Sequence, residues 1–378
     1  MLESLQTTAT QIAAKLIRRE SVTPDDGGCQ DYIESLLAPL GFVRTQVNAG
    51  GITNSIYTRM GEISGTLAFA GHTDVVPTGP IDEWPHPPFD AVIENGILHG
   101  RGIQDMKGAI ACWITAASHL CAQFTPIPTL QLLITSDEEG ESIDGTIRIV
   151  EHMQQHGLLP DATIVGEPSS SKAVGDVIRR GRRGVVQIIM NFIGKQGHSA
   201  YPDDANNAIH IATPALSQIA NIDWGDAAEG FPPTSCQITN LTAGTGVMNV
   251  IPGSCQATVD IRYNPGVDFD GISERIHAAV GNTEVELDIQ HQATAFSTDD
   301  GAFLDQVCHA IQRTVGIETI RDTGGGTSDG RFLAAAGVPV VELGLTNSTI
   351  HQVGECVAVH ELESLTRIYI DIIENFEV

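Results

Sequence analysis

The stretch TLAFAGHTD, residues 66–74, combines the two features that decide the fold of this chain. Its first five residues, Thr66–Ala70, form a short apolar run typical of a buried β-strand. The next four, Gly71–Asp74, include a histidine and an aspartate. Open α/β sheets bind ligands beyond the carboxyl ends of their strands. The stretch therefore predicts a strand that presents reactive side chains at the edge of a sheet.

The same arrangement recurs along the chain. Polar residues directly follow three further apolar runs, Leu130–Thr135, Ala162–Val165 and Val338–Leu343. Helix-like stretches, Gly108–Gln123 and Thr146–His156, occur between the runs. Strands that alternate with helices predict an α/β sheet covered on both faces, with the polar residues converging on one edge.

A different order of elements occupies the middle of the chain. The predicted elements are strand Val185–Ile193, helix Ala205–Ala220, strands Ser235–Ala243 and Cys255–Tyr263, helix Gly271–Val280 and strand Glu284–Gln290. This β-α-β-β-α-β order is the ferredoxin-like arrangement. We therefore predict two domains, one formed by residues 1–178 and 293–378, and a second, residues 179–292, inserted into the first.

Composition and charge exclude several classes of function. The 378 residues include 20 Lys and Arg against 47 Asp and Glu, and the net charge of −27 repels phosphate backbones and anionic membranes. We expect no nucleic-acid or membrane partner. No apolar run reaches the about 18 residues of a membrane span, and no secretory signal pattern occurs near residue 1. Seven scattered cysteines are typical of reduced thiols, so we expect a cytoplasmic protein.

Candidate metal ligands follow the predicted strands or lie in Gly-rich loops. They are His72, Asp105, Glu138 or Glu139, Glu167 and His351. A catalytic zinc site needs imidazole and carboxylate ligands, and this set is large enough for two metals that share one carboxylate. The wide spacing carries no local signature. Taken singly, each residue also fits an ordinary role, such as a solvated acidic turn or a helix cap.

Six motifs taken together resemble the dinuclear zinc amidohydrolases of the aminoacylase and carboxypeptidase G2 superfamily. They are His72–Pro77, Gly100–Gly108, Asp137–Gly140, Gly166–Pro168, Gly197–Pro202 and Asn347–His351. Further motifs are similar to the succinyl-diaminopimelate desuccinylase family within it, namely Gly181–Gly184, Phe231–Ser235, Gly244–Gly246, Asn249–Pro252 and Thr323–Phe332. The resemblance extends from about Leu5 to the last helix. It implies a zinc-peptidase-like catalytic domain, with a mixed, mostly parallel sheet between helices, and an inserted ferredoxin-like dimerisation domain.

The resemblance also implies a cofactor and its ligands. Asp105 corresponds to a carboxylate that bridges two divalent metal ions. His72 and Glu167 would complete one site, and Glu139 and His351 the other. The implied metal is zinc, with cobalt or manganese as alternatives that accept the same ligands.

Catalytic and substrate-binding roles follow from the same matching. Glu138 corresponds to the general base, and Asp74 to the carboxylate that orients the His72 imidazole. His198 of the inserted domain corresponds to a residue that reaches into the partner subunit's site in a homodimer and stabilises the oxyanion. The implied substrate-binding residues are Arg182, Tyr201, Asn249, Arg262, Gly326, Thr327 and Asn347. One position departs from the family, because Val185 stands where a serine hydroxyl is frequent.

The implied activity is metal-dependent hydrolysis of N-succinyl-LL-2,6-diaminopimelate to succinate and LL-2,6-diaminopimelate, in diaminopimelate and lysine biosynthesis. Two arginines, Arg182 and Arg262, suit a substrate with several carboxylates. The alternative is deacylation of another N-acyl amino acid, such as N-acetylornithine. A third hypothesis, an inactive scaffold, is disfavoured because all five ligands are present together with Glu138 and His198.

Overall fold

The computed structural model describes the backbone of residues 2–378 and the side chains of residues 8–378. The chain divides into two compact units. The first contains the chain up to Gly181 together with Ser297–Asp322 and Ser328–Val378, and the second contains Arg182–Phe296 and Thr323–Thr327. These divisions differ by a few residues from the predicted boundaries after 178 and 292, and they add residues 323–327 to the second unit. That each unit is a separate domain stays a prediction.

Helices and strands alternate through most of the chain. The helices are α1 (Leu2–Ile17), α2 (Cys29–Leu37), α3 (Gly108–Gln123), α4 (Thr146–His156), α5 (Ala208–Ala220), α6 (Phe269–Val280), α7 (Ala302–Val315), α8 (Gly330–Ala335) and α9 (Val359–Glu374). The strands are β1 (Val43–Gln46), β2 (Ser55–Arg59), β3 (Thr66–His72), β4 (Val92–Glu94), β5 (Ile97–His99), β6 (Thr129–Thr135), β7 (Ala162–Val165), β8 (Val177–Arg179), β9 (Gly181–Arg182), β10 (Gly184–Ile193), β11 (Gly197–His198), β12 (Ser235–Ala243), β13 (Val250–Ile251), β14 (Ser254–Tyr263), β15 (Val285–Ala293), β16 (Phe296–Ser297), β17 (Ile320–Asp322), β18 (Val340–Glu342) and β19 (Cys356–Ala358).

An eight-stranded sheet forms the centre of the first unit. Its strand order is β1-β2-β6-β3-β7-β18-β8-β17. The four middle strands, β6, β3, β7 and β18, are parallel to one another, whereas β1, β2 and the β18–β8 pair add antiparallel neighbours. The prediction of a mixed, mostly parallel sheet is confirmed. The four strands that the apolar runs predict are therefore neighbours in the middle of the sheet. Such apolar runs are typical of strands that are buried on both faces.

A layer of helices covers this sheet and completes the main core. Helix α3 is apolar on nearly all sides, and it packs between α1 and α9, while α7 packs against α9. Trp113 of α3 is 1% exposed, and its ring contacts Phe42 and Phe69 with centroid distances of 5.9 and 5.8 Å. Helix α4 contacts β6 and α8.

The second unit contains a four-stranded antiparallel sheet with the order β12-β14-β10-β15. Numbered along the unit, the strands stand in the order 2-3-1-4, which is the ferredoxin-like arrangement that the sequence predicts. Along β10, alternate residues from Val186 to Phe192 are buried, because one face of the sheet packs on α5 and α6. The edge strand β12 is exposed over most of its length.

Two further findings concern the cysteines and the helices. All seven cysteines are free thiols. Among the described residues, no helix combines the length and the apolar character that a membrane crossing requires.

Candidate metal centre and active site

Most of the candidate ligands lie at or just after the ends of three neighbouring strands. β3 ends at His72, β6 ends just before Asp137–Glu139, and β7 ends two residues before Glu167. Because β6, β3 and β7 are adjacent and parallel, their carboxyl ends lie at the same edge of the sheet. The predicted convergence of these polar residues on one edge is confirmed.

Asp105 lies between two histidines that come from distant parts of the chain. It belongs to the turn Ile103–Lys107, directly before α3. Asp105 Oδ1 is 3.1 Å from Nε2 of His72, and Asp105 Oδ2 is 3.4 Å from Nε2 of His351. Each oxygen of one carboxylate thus faces a different imidazole, which is the geometry that a bridging ligand needs.

The remaining candidate ligands complete a group on each side of Asp105. On one side, His72 Nε2 is 3.7 Å from Glu167 Oε1, and on the other, His351 Nε2 is 2.9 Å from Glu139 Oε1. The structure therefore brings all five predicted ligands together. Ligand-capable atoms of His72, Glu138 and Glu167 also lie within 4.8 Å of one another, which places Glu138 beside the first group.

Asp74 contacts His72 through its main-chain oxygen, and its carboxylate lies nearby. His72 Nδ1 donates to the main-chain oxygen of Asp74 at 2.9 Å, whereas the Asp74 carboxylate is 3.6 Å away. That carboxylate accepts hydrogen bonds from the main-chain N–H groups of Glu138 and Glu139, at 3.3 and 3.1 Å. The main chain of Asp74 thus orients the imidazole and leaves Nε2 facing Asp105. Its buried side chain ties the two glutamates to the end of β3.

The electrostatics of the cluster fit bound cations. Burial raises the pKa of Glu138 and of Glu167 well above the usual value, and the Asp105 carboxylate raises both further. Glu167 Oε1 is buried and accepts no hydrogen bond from any described residue. Crowded, buried carboxylates of this kind are stabilised when cations bind between them. Imidazole nitrogens and carboxylate oxygens are ligands that zinc accepts, so these residues fit divalent metal ions.

The pKa values of the two histidines and of Asp105 shift in opposite directions. Burial by itself lowers the pKa of His72, but the neighbouring carboxylates of Asp105 and Asp74 raise that pKa well above its usual value. Hydrogen bonds to Asp105 and Glu139 raise the pKa of His351 to about 10. Burial alone would raise the pKa of Asp105, yet the two histidines hold it below its usual range. The cluster therefore favours positive charge on both sides of an ionised Asp105.

Asp329 is a site-proximal carboxylate to which the sequence reasoning assigned no role. It is 4% exposed, its Oδ2 accepts a hydrogen bond from Thr146 Oγ1 at 2.6 Å, and its charge raises the pKa of Glu138. Its Oδ1 has no hydrogen-bond partner within residues 8–378. The only sequence signal is one acidic residue in the glycine-rich segment Gly324–Gly330, and that signal does not say which carboxylate it approaches.

Three predicted residues of the second unit cluster on its surface. His198 lies in β11, which pairs with β13. Its Nδ1 accepts a hydrogen bond from the main-chain N–H of Ala200 at 3.0 Å, and its Nε2 is 3.5 Å from Asn249 Nδ2. The Tyr201 ring is 5.7 Å from the imidazole, and the Tyr201 side chain is 65% exposed. His198, Tyr201 and Asn249 thus form one exposed polar group.

The other predicted substrate-binding residues are divided between the units. In the second unit, Arg182 Nη1 donates to the main-chain oxygen of Gly324 at 2.6 Å, and Gly326 and Thr327 belong to the same segment, Thr323–Thr327. Arg262 lies in β14, where its Nε donates to Asp260 at 2.9 Å. Asn347 lies in the first unit, in the loop that leads from β18 to the segment of His351.

Comparisons with known proteins agree with this arrangement. The sequence profile of peptidase family M20/M25/M40 matches residues 68–375. A succinyl-diaminopimelate desuccinylase of Marinobacter nauticus is 45% identical over 362 residues, which are 95% of this chain and 96% of that protein. A protein of the same name from Thioalkalivibrio sulfidiphilus is 43% identical over 370 residues, with 97% and 98% covered.

A solved structure shows the same fold at much lower identity. The aminopeptidase PepT from Bacillus cereus superposes with a TM-score of 0.80 at 19% identity, with 98% of each chain covered. The resemblance inferred from the sequence motifs is confirmed by the full-length similarity to the desuccinylases. The chain belongs to peptidase family M20/M25/M40, together with these desuccinylases.

Proposed function

We propose that this chain hydrolyses N-succinyl-LL-2,6-diaminopimelate to succinate and LL-2,6-diaminopimelate, a step of diaminopimelate and lysine biosynthesis. The observation that carries the proposal is the full-length similarity to relatives named for this reaction, at 45% identity over 95% of the chain. The cluster around Asp105 supports it, because the five ligands and the base that the resemblance implies lie together there. We place the activity in the cytoplasm, since seven free cysteines suit a reducing compartment.

Two divalent metal ions are part of this proposal. His72, Glu167 and one oxygen of Asp105 would hold the first, and Glu139, His351 and the other oxygen of Asp105 the second. We propose zinc, with cobalt or manganese as functional replacements. When bound, the pair supplies Lewis acidity at the amide carbonyl and lowers the pKa of the attacking water.

The protein's own groups perform the proton transfers. We propose that the Glu138 carboxylate takes a proton from the attacking water and later delivers it to the amide nitrogen, so that the amine leaves neutral. The main-chain N–H groups of Glu138 and Glu139 both donate to Asp74, which fixes the backbone of the two residues. The Glu139 carboxylate can then reach the metal, and the Glu138 carboxylate the water. A partner subunit's His198 would donate a hydrogen bond to the developing oxyanion.

A homodimer formed through the second unit is part of the same proposal. Strand β12 lies at the edge of its sheet, and its Ile238 and Leu241 are 36% and 58% exposed. Nearby in sequence, Val247 and Met248 are also exposed. A long exposed edge strand with apolar side chains is a template for pairing with another chain. We propose a second copy of this chain as that partner. The net charge of −27 supports our expectation that nucleic acid is not a partner.

Two arginines account for the choice of a polycarboxylate substrate. We propose that Arg182 and Arg262 bind substrate carboxylates, because a guanidinium pairs with a carboxylate through two parallel hydrogen bonds. Tyr201, Asn249, Gly326, Thr327 and Asn347 would bind the remaining polar groups. Val185 is 4% exposed in β10 and offers no hydroxyl, so succinyl recognition relies on the other residues.

The test measures succinate and free amine released from N-succinyl-LL-2,6-diaminopimelate, with N-acetylornithine in parallel. Zinc-loaded protein is compared with protein stripped by a chelator. The expected result is metal-dependent turnover of the succinyl compound alone. Turnover of the acetyl compound alone would support the proposed hydrolytic site but show that the proposed substrate is wrong. If protein that holds two metals is inactive on both compounds, the proposed function is overturned.

A further inference from the structure

Asp105 and His351 are carried by two loops that are remote in sequence, and the first loop begins beside the point where the second one ends. Strand β5 ends at His99, just before the loop of Asp105, and β19 begins at Cys356, just after the loop of His351. The two strands pair antiparallel, with His99 opposite Cys356, and the Gly100 N–H donates to the Glu355 main-chain oxygen at 3.0 Å. Beyond this pairing the loops leave the sheet, and other contacts must set their spacing.

Glu355, at the end of the His351 loop, binds the backbone of the Asp105 loop. Its side chain is 1% exposed. Oε2 accepts from Arg101 Nη1 at 2.8 Å and from the Gly102 N–H at 2.9 Å, while Oε1 accepts from the Gln104 N–H at 2.9 Å. A longer contact, 3.4 Å, joins Oε1 to the N–H of Asp105 itself. One buried carboxylate therefore organises the chain that leads into Asp105.

Gln104 makes the reciprocal connection. It is fully buried, and its Oε1 accepts hydrogen bonds from both the N–H and the hydroxyl of Thr349, at 2.9 and 2.7 Å. Its Nε2 donates to Thr346 Oγ1 and Ser348 Oγ at 3.3 and 3.4 Å. Gln104, the residue before Asp105, thus forms hydrogen bonds with the segment that leads to His351. Gln104 and Glu355 together cross-link the two loops from both directions.

The two halves of the centre differ in how they are held. His72 is the last residue of β3 and Glu167 follows β7, so the hydrogen-bonded ladder between β3 and β7 fixes both. His351 is in a loop, is 48% exposed and has a left-handed φ of 59°. In the part of the chain with described side chains, its imidazole has polar contacts only with Glu139 and Asp105. Its position therefore depends on its loop.

We propose that Gln104 and Glu355 are positioning residues that set the distance between Asp105 and His351, and that the half-site of Glu139 and His351 depends on them. The half-site of His72 and Glu167 depends on them less, because the β3–β7 ladder holds two of its three ligands and only its Asp105 oxygen is shared. The inference rests on the metal assignment of the proposed function and adds a selective control of one half-site. A purely structural role for these residues would lower the stability of the fold without singling out one of two metal sites.

The experiment is a zinc titration of metal-free protein against a chromophoric chelator, which resolves two successive affinities. The variant is Gln104→Met, which keeps the length of the side chain and removes its hydrogen bonds. The matched control is Gln131→Met, because Gln131 is 3% exposed in β6 and donates to the Leu158 main-chain oxygen, outside the metal cluster. Urea unfolding of both metal-free variants measures the cost to the fold.

We expect Gln104→Met to weaken one affinity about 10- to 100-fold, as is usual for residues that orient metal ligands, and to weaken the other much less. Gln131→Met should leave both affinities unchanged. Equal weakening of both sites by Gln104→Met, or no weakening, would overturn the inference. Wild-type protein that binds fewer than two ions would overturn the metal assignment itself, and this inference with it.

A second pair of variants decides the question if Gln104→Met does not fold. Thr349→Val removes the hydroxyl that donates to Gln104 and that also bonds to the main chain of Cys356 in the same loop, and Thr349→Ser keeps it. The valine variant should mainly weaken the same affinity as Gln104→Met, and the serine variant should keep the wild-type affinities. Identical affinities in the two variants would contradict the positioning role.

Discussion

Replacing Glu138 by glutamine removes the ionisable carboxylate and preserves the surrounding contacts. The main-chain N–H of Glu138 donates to Asp74 at 3.3 Å, and its main-chain oxygen accepts from Ser142 Oγ at 2.8 Å. Both bonds remain in the variant, and glutamine has nearly the same size as glutamate. The neighbouring His72 and Glu167 should therefore keep their positions, and all five proposed ligands remain.

The expected loss is confined to the chemical step. A general acid and base contributes about 10²- to 10⁴-fold to the rate, which corresponds to about 3–5 kcal/mol of transition-state stabilisation. We expect kcat to fall by that factor in Glu138→Gln. The metal content should stay at the wild-type value, because Glu138 lies beside His72 and Glu167 but is not among the five residues paired around Asp105.

The assay measures initial rates of succinate release at saturating substrate, with atomic emission of zinc on the same sample. Ser142→Ala is the control, because it removes the hydroxyl bond to the main chain of Glu138 and leaves the carboxylate intact. It should retain nearly full activity. A Glu138→Gln protein with near-normal kcat would refute the proton-transfer role. Loss of one metal ion would instead identify Glu138 as a ligand.

Three further predictions test the centre, the dimer and the core. Chelation should abolish succinate release and leave the far-ultraviolet circular dichroism unchanged, because the apolar core forms without the metal ligands; a collapse of the spectrum would contradict this. His198→Ala should be nearly inactive. Mixing it with Glu138→Gln should restore activity, because each hybrid dimer contains one intact site. Hybrid dimers without activity would exclude the cross-subunit role. Trp113→Ala removes a ring packed on Phe42 and Phe69 and should lower the free energy of unfolding by about 3–5 kcal/mol. Urea unfolding checks this value, and a loss as small as that of a surface substitution would contradict it.

Local sequence signals predicted the type and order of the elements well. The bounds predicted for helices Gly108–Gln123 and Thr146–His156 and for strand Ala162–Val165 match those of α3, α4 and β7. Helix α5 starts later than predicted, at Ala208, because the Asn207 side chain accepts a hydrogen bond from the Ile209 N–H and caps the helix there. The start of a helix depends on such a single cap, whereas its apolar face is repeated every turn.

The site was predictable as a set of residues and not as a geometry. His72 and Glu167 follow recognisable strands, so their convergence could be expected from the topology of a parallel sheet. The way Asp74 orients His72 could not, because its carboxylate and its main-chain oxygen compete for the same imidazole nitrogen. Asp329 was missed for a similar reason, since its approach to Glu138 depends on how α8 packs against α4.

The sequence by itself determined that apolar runs end in candidate metal ligands, because strand periodicity, helix caps and motif order are local properties of the chain. Only the tertiary structure decided that the two oxygens of Asp105 face different histidines, and that Gln104 and Glu355 cross-link the loops on either side. The physical reason is that a contact of about 3 Å between distant segments is set by the packing of everything between them. No local pattern of residues encodes that distance.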